Sequence, residues 1–167
     1  MDKQTATRHV MQANRSKDTG PELQVRHALR DAGLSGYRLH WKKASGRPDI
    51  SYPGRKLAIF VNGCYWHRCP WCSLPMPKTN PGFWEEKFAR NRARDQRNHE
   101  QLASEGWRVL VVWECRLKRG RFDSTMRSII EQVKSAGDSC GQIIEVGAPE
   151  GWRVSAARRR LRRRRRK

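Results

Sequence analysis

Four cysteines constrain the fold of this chain more than any other feature. Cys64, Cys69 and Cys72 lie within nine residues, and Cys115 directly follows the strongest strand pattern in the sequence. Cys69 and Cys72 form a CxxC pair, a spacing that lets two thiolates reach one tetrahedral zinc ion. If the strand before Cys115 lies beside the strand that leads to Cys64, all four thiolates can meet. The pattern therefore predicts a structural Zn²⁺ that fixes a loop to a sheet.

The same residues allow another interpretation. Free cysteine is often buried as a small apolar side chain, so reduced thiols in a small core are the alternative to zinc. His67 lies inside the loop and competes as a zinc ligand, but four cysteines can fill the site and leave the imidazole free. Pro70, Trp71 and their polar neighbours do not resemble a core segment, which favours zinc. Cys140 lies outside the cluster in the sequence.

Hydrophobic periodicity predicts a single mixed α/β domain. Helices are expected at about 21–32, 83–105 and 124–135, and strands at 37–41, 48–52, 57–61 and 107–113. A turn at Pro53-Gly54 makes a hairpin that places Asp49 near Val61 and Asn62. Because helices separate the other strands, we expect a central mixed β-sheet flanked by helices.

The ends of the chain differ in composition from its middle. We predict a flexible arm at 1–19, a compact domain at 20–150 and a basic, disordered tail at 151–167. Nine basic residues between Arg158 and Lys167 account for part of the formal net charge of +20, which leaves +11 elsewhere. Such a charge favours a polyanionic partner, and nucleic acid, the ribosome and an anionic membrane surface would all attract it.

Two absences in the sequence bear on location. No stretch of about 18 apolar residues is present, so we expect no membrane span. The N-terminal residues MDKQTATRHV contain no apolar signal core, which predicts an intracellular protein. No interface is evident from the pattern, so we expect a monomer.

Three polar residues are candidates for metal-dependent phosphodiester cleavage. This chemistry needs a carboxylate to hold Mg²⁺ against the scissile phosphate and a base to activate water. Asp49, at the start of a strand, is the candidate carboxylate, although most Pro-Asp pairs are turns or caps. His67, directly after the partner strand, is the candidate base. Glu22 is a third candidate, and its simpler interpretation is a charge at a helix start.

Aromatic and basic residues surround these candidates. Tyr65, Trp66 and Trp84 lie in or beside polar sequence and are expected either to cover the zinc loop or to enter a base stack as an apolar wedge. The arginine-rich face of the helix at 83–105, which includes Lys87 and Arg94, is by default a solvated surface. Because the body of the chain is positive, contact with phosphates is the second interpretation.

Several motifs, in order, resemble the very short patch repair (Vsr) endonuclease family. The resemblance covers roughly residues 11–117 and is carried by Arg15-Ser16-Lys17-Asp18-Thr19, Pro21-Glu22, Gly46-Arg47-Pro48-Asp49, the segment 59–67, Pro77-Lys78-Thr79-Asn80-Pro81, Phe83-Trp84, Glu86-Lys87, Arg90-Asn91, Arg94-Asp95 and the segment 106–115. Ordered motifs at compatible spacings are far more specific than any one of them.

This resemblance implies a restriction-endonuclease-like core, a structural zinc and a reaction that needs Mg²⁺. The family nicks one strand 5′ of the thymine in a thymine–guanine mismatch left by deamination of 5-methylcytosine, so the expected partner is mismatched double-stranded DNA in a bacterial cytoplasm. The implied roles are Asp49 and the Val61 carbonyl for Mg²⁺, His67 as base, Glu22 as supporting acid, Cys64, Cys69, Cys72 and Cys115 for zinc, and Tyr65, Trp66, Trp84 and Met11 for DNA.

The chain departs from the family pattern at two places. Asn62 stands where some members have a second active-site histidine, and an amide can bind a phosphate oxygen but cannot carry a proton at neutral pH. Cys69 stands where a histidine ligand can occur, and Cys72 is shifted by one residue, changes that zinc tolerates. Two other functions stay open: a restriction-type or lesion-directed nuclease, and a zinc-stabilised nucleic-acid-binding protein without catalysis.

Overall fold

The structure is a computed structural model, and it describes residues 17–137 and 141–149. The predicted tail at 151–167, most of the predicted arm and Cys140 lie outside these residues. Within them, no helix is both long enough and apolar enough to cross a membrane.

A five-stranded mixed sheet forms the centre of the domain. Its strands are β1 (Arg38–Leu39), β2 (Ile50–Tyr52), β3 (Leu57–Asn62), β4 (Arg108–Trp113) and β5 (Gln142–Glu145), and they lie in that order across the sheet. The first three strands pair antiparallel, whereas β4 is parallel to both β3 and β5. This sheet confirms the predicted α/β class, the hairpin and the pairing of the strand before Cys115 with the strand before Cys64.

Among the described residues, four helices accompany the sheet. They are α1 (Gly20–Asp31), α2 (Cys64–His67), α3 (Pro81–Ser104) and α4 (Phe122–Lys134), and short 3-10 turns follow β2 and β4. Alternation along the strands divides the core between the two faces, because successive side chains point to opposite sides. Leu57 and Ile59 pack with residues of α1 and α4, and Ala58 packs with Leu102 of α3.

The structure differs from the predicted elements at three places. The strand expected at 37–41 is reduced to Arg38–Leu39, because His40 has a φ of 44°, which interrupts the extended backbone. The segment that carries Cys64, His67, Cys69 and Cys72, expected to be a loop, contains the single-turn helix α2. The strand β5 was not predicted, because its four residues, all partly buried, show no alternation of apolar and polar side chains.

Candidate active site

A cavity of about 1000 Å³ gathers the predicted catalytic residues. Its lining comes from α1, the β2–β3 hairpin, α2 and α3, and includes Glu22, Asp49, Val61, Asn62 and His67. These residues are up to 45 positions apart in the sequence. Their convergence argues against a nucleic-acid-binding protein without catalysis, in which the two acids and the histidine would have no common role.

Asp49 lies just before β2 and reaches across the hairpin. Its Oδ2 accepts a hydrogen bond of 2.7 Å from the backbone N–H of Val61. Burial raises the pKa of Asp49 to about 7, and the nearby charge of Glu22 acts in the same direction, whereas the hydrogen bond from Val61 opposes it. A buried carboxylate that ionises with difficulty gains most from a cation, so Asp49 is suited to hold a hard divalent ion such as Mg²⁺.

His67 forms a dyad with Asp95, a residue of α3. The Nδ1 atom of His67 is hydrogen-bonded to Oδ2 of Asp95, and Arg94 donates to the other oxygen of the carboxylate at 3.1 Å. Burial alone would raise the pKa of Asp95, but the hydrogen bond and charge of His67 outweigh it and lower that pKa. An ionised Asp95 holds the proton of a neutral imidazole on Nδ1, which leaves Nε2 as a bare acceptor suited to general-base work.

Glu22 is buried and its carboxylate is engaged in local contacts. Its backbone N–H donates to Oγ1 of Thr19 at 3.4 Å, and the Thr19 hydroxyl donates to Glu22 Oε1 at 3.0 Å. Arg26 donates to Oε2, also at 3.0 Å. Glu22 therefore caps the start of α1, as its simpler interpretation held, and it also lines the active-site cavity.

Two further residues beside Glu22 were not singled out in the sequence. Arg26 is 6 % exposed and also donates to Asp18 at 2.6 Å. His40 lies next to it, with Nε2 at 3.1 Å from Nη2 of Arg26 and Nδ1 at 3.8 Å from Oδ1 of Asp49. No motif marks His40, since it stands directly after a two-residue strand. Asp95 could have been identified from the sequence more easily, because it is the one acid between Glu86 and Glu100 on an arginine-rich helix.

The rest of the cavity wall carries groups suited to DNA. Asn62 is buried and lines the cavity. Lys87 and Arg94, the predicted phosphate contacts, also line the cavity. Asn91 also lines it and donates to the backbone carbonyl of Trp66 at 3.1 Å, which ties α2 to α3. The predicted DNA contact Met11 lies outside the described residues.

The aromatic residues form one cluster beside the cavity. Ring centroids of Tyr65 lie 5.1 Å from Trp66 and 6.4 Å from Trp84. The ammonium of Lys87 lies 5.3 Å from the Trp84 ring and 5.5 Å from the Trp66 ring. Phe83, next to Trp84, is 41 % exposed. The cluster therefore packs on itself and also presents aromatic surface at the edge of a cavity whose wall includes Lys87 and Arg94.

The four predicted zinc ligands meet at one point. The sulfur atoms of Cys64, Cys69, Cys72 and Cys115 all lie within 4.8 Å of one another. The sulfurs of Cys69 and Cys115 are 3.8 Å apart, which matches the edge of a tetrahedron with Zn–S bonds of about 2.3 Å. Burial raises the pKa of Cys69 to about 12 and that of Cys64 further, so these thiols become thiolates readily only beside a cation. The donor set fits a structural zinc.

A buried carboxylate, a histidine–aspartate dyad and cationic side chains around one open cavity are typical of a metal-dependent hydrolase of a phosphodiester polymer. Aromatic surface at the cavity edge matches a nucleic acid, whose bases stack on such rings. The fold and the site together therefore define the class as a nuclease.

Comparison with known proteins identifies the family. The sequence model of DNA mismatch endonuclease Vsr matches residues 1–73. The type II nicking enzyme V.XorIIP of Xanthomonas oryzae pv. oryzae is 45% identical over 125 residues, which cover 74% of this chain and 91% of that enzyme. The type II nicking enzyme V.NmeAIP of Neisseria meningitidis serogroup A is 38% identical over 129 residues, with 74% and 91% covered. The DNA mismatch endonuclease Vsr of Escherichia coli is 36% identical over 133 residues, with 80% and 83% covered.

This chain belongs to the Vsr family, and it is a DNA endonuclease. The mixed sheet with helices on both faces agrees with the restriction-endonuclease-like core that the motifs implied. Because the match extends over most of the described domain, we reject the hypothesis of a zinc-stabilised nucleic-acid-binding protein without catalysis.

Proposed function

We propose that this enzyme nicks one strand of double-stranded DNA on the 5′ side of the thymine in a thymine–guanine mismatch, in a reaction that needs Mg²⁺. One observation carries the proposal: Asp49 and the His67–Asp95 dyad line one cavity that adjoins the Tyr65–Trp66–Trp84 cluster. Cleavage chemistry and a candidate mismatch wedge are therefore adjacent.

Each residue at the cavity has a part in the proposed reaction. Asp49 and the backbone carbonyl of Val61 would hold Mg²⁺, which supplies charge stabilisation at the scissile phosphate. Nε2 of His67 takes the proton of the attacking water, while Asp95 orients the ring and stabilises the cation that forms. Glu22 adds negative charge beside the carboxylate of Asp49.

Asn62 and the basic residues act on the DNA backbone in this proposal. The Asn62 amide donates a hydrogen bond to a phosphate oxygen, since it cannot exchange a proton at neutral pH. Lys87 and Arg94 neutralise phosphates along the cavity wall. The aromatic wedge favours a mismatch over a paired site because unstacking a poorly paired step costs less free energy.

The cysteine cluster holds Zn²⁺ in a structural role. Cys64 and His67 stand at opposite ends of the single turn α2. A zinc ion on Cys64 therefore fixes the position of the base through four residues of chain. The chain acts as a monomer on the bacterial nucleoid in this proposal.

A nicking assay tests the proposed function directly. A duplex with one thymine–guanine mismatch is expected to be nicked in Mg²⁺, and the fully paired duplex is expected to stay intact. Asp49→Ala abolishes the nick without loss of DNA binding, and His67→Ala lowers the rate by about 10²–10⁴-fold, the usual effect of losing a general base. Equal cutting of both duplexes would reject mismatch specificity, and a panel of other mismatches and lesions would then identify the substrate.

A further inference from the structure

His40 occupies a position that the proposed reaction does not yet use. Its side chain is 16% exposed and its ring lies between the start of α1 and the carboxylate of Asp49. Nε2 faces Nη2 of Arg26 at 3.1 Å, and Nδ1 faces Oδ1 of Asp49 at 3.8 Å. The backbone N–H of His40 also donates to the carbonyl of Asp49 at 3.3 Å, so the two residues are hydrogen-bonded through the backbone and adjacent through their side chains.

The contact with Arg26 fixes the proton on the His40 ring. A guanidinium carries only donors, so the imidazole nitrogen that faces it must be an acceptor. Nε2 of His40 therefore accepts from Arg26, and the tautomer with its proton on Nδ1 is the one that fits this contact. That N–H points towards the side of the ring where Oδ1 of Asp49 lies.

The acids around His40 do not form a second metal site. Ligand atoms of Asp18, Glu22 and His40 lie within 4.8 Å of one another, which is a distance suitable for a shared ion. However, the guanidinium of Arg26 lies 2.6 Å from Asp18 and 3.0 Å from Glu22, and so it occupies the place that a cation would take. Arg26 neutralises the acids and at the same time orients the imidazole.

Asp49 needs to be held from two sides to present one oxygen to the cavity. The torsion that rotates a carboxylate has a broad energy profile, so a single contact leaves the group free to turn. The N–H of Val61 holds Oδ2 at 2.7 Å, and Nδ1 of His40 is the polar group beside Oδ1. Loss of a residue that orients a metal ligand usually lowers metal affinity or activity by about 10–100-fold. We expect an effect of this order when His40 is replaced.

We propose that His40 is a positioning residue of the endonuclease: held by Arg26 as the Nδ1–H tautomer, it keeps the carboxylate of Asp49 turned so that Oδ1 faces the cavity. This inference rests on the proposed role of Asp49 in holding Mg²⁺. It adds a chain of contacts from the start of α1 to the cleavage site.

Two amide variants separate this role from a structural one. In His40→Asn the amide nitrogen takes the place of Nδ1, so the contact towards Asp49 is kept and the contact with Arg26 is lost. In His40→Gln the amide oxygen takes the place of Nε2, so the contact with Arg26 is kept and the contact towards Asp49 is lost. Asparagine also tolerates the φ of 44° at this position better than most residues do.

The activity measurement is a Mg²⁺ titration of single-turnover nicking on the mismatched duplex. For His40→Ala and His40→Gln, we expect the Mg²⁺ concentration at half-maximal rate to rise by about tenfold or more. His40→Asn should stay within about threefold of the parent enzyme, and the exposed His27→Asn serves as the matched control. Thermal melting and duplex binding show that each variant is folded. Rescue by Gln rather than Asn, or no change in any variant, would overturn the proposal.

A second readout does not depend on activity. The ring ¹⁵N chemical shifts of histidine-labelled enzyme without Mg²⁺ report which nitrogen carries the proton, and His40→Asn assigns the signal. We expect the uncharged form of the ring to carry its proton on Nδ1; an uncharged ring with its proton on Nε2 would overturn the proposal. If the parent enzyme fails to nick the mismatch, the proposed function fails while this spectrum still tests the tautomer. If the parent enzyme nicks and the variants behave alike, only the role of His40 fails.

Discussion

The ring of His67 is hydrogen-bonded through Nδ1 to the carboxylate of Asp95, 28 positions further along the chain. The contact joins α2 to α3 in the lining of the cavity. It also leaves Nε2 of His67 as the nitrogen available to accept a proton. Asp95, part of the Arg94-Asp95 motif, therefore prepares the base, a role that the sequence alone did not assign.

Substitution of Asp95 should impair cleavage as much as loss of the base. In Asp95→Asn the amide can donate to Nδ1, which favours the tautomer with the proton on Nε2 and removes the charge that stabilises the protonated ring. We expect the single-turnover nicking rate to fall by about 10²–10⁴-fold, as in other histidine–aspartate pairs.

Glu100→Gln is the control for this experiment, because Glu100 is on the same helix and is not among the residues that line the cavity. Duplex affinity should be unchanged in both variants. A rate for Asp95→Asn within threefold of the parent enzyme would show that His67 does not need its partner.

Removal of the Asp49 charge should stabilise the protein above neutral pH. The folded protein holds the Asp49 proton up to a pH of about 7, whereas the unfolded chain releases it near 3.8. The folded state therefore binds more protons in this interval, and the free energy of unfolding decreases as the pH rises from about 4 to 7. In Asp49→Asn this loss is absent, which amounts to at most about 4 kcal/mol.

Urea unfolding at pH 5 and pH 8, in buffer without Mg²⁺, checks this sign. The difference between Asp49→Asn and the parent protein should grow with pH, and the exposed Glu131→Gln should show no such growth. A stability difference that is the same at both pH values would mean that Asp49 is ionised in the folded protein well below neutrality.

Zinc should be required for stability as well as for activity. Cys72 is only half-buried, so Cys72→Ser changes little besides the ligand. We expect it to lower the zinc content measured by mass spectrometry and to lower Tm by about 10 °C or more, because loss of a structural ligand costs several kcal/mol. Cys140→Ser, which leaves all four cluster cysteines unchanged, should keep one zinc per chain. Full stability of Cys72→Ser with no zinc in the parent protein would favour four reduced thiols instead.

A close approach between two segments fixes the turn before Asp49. Gly46 has a φ of 74°, and a Cβ atom added there would lie 2.8 Å from Cβ of Asn98 on α3. Gly46→Ala should therefore destabilise the protein by about 1–3 kcal/mol, from backbone strain and overlap together. Nothing lies within 4 Å of a Cβ at the exposed Gly36, so Gly36→Ala is the matched control. Equal melting temperatures of the two variants would show that the turn moves freely.

The strands β3 and β4, the hairpin and the cysteine cluster could be predicted from the sequence because each has a local signal. Continuous apolar runs mark β3 and β4, and the CxxC spacing marks the loop. Once those two strands were paired, the meeting of Cys115 with Cys64 followed. The proximity of Asp49 to Val61 followed in the same way from the length of the hairpin.

The contacts that Arg26 and His40 make beside the active site could not be predicted from the sequence. Arg26 is a buried arginine on a helix, and nothing in its neighbourhood distinguishes it from the exposed Arg30. His40 gains its role because the chain turns to a positive φ there, and the side chain then meets α1 and Asp49. Such contacts depend on how helices pack against the sheet, and single-sequence patterns do not specify that packing.

The single turn α2 has a consequence for how the enzyme matures. With zinc on Cys64 and the imidazole of His67 one turn away, a newly made polypeptide that has not yet acquired its ion would lack an ordered proton acceptor. Such a polypeptide could still be attracted to the chromosome by its positive charge. It would associate with DNA without cleaving it, so the four cysteines would have to bind zinc before the enzyme could cut a strand.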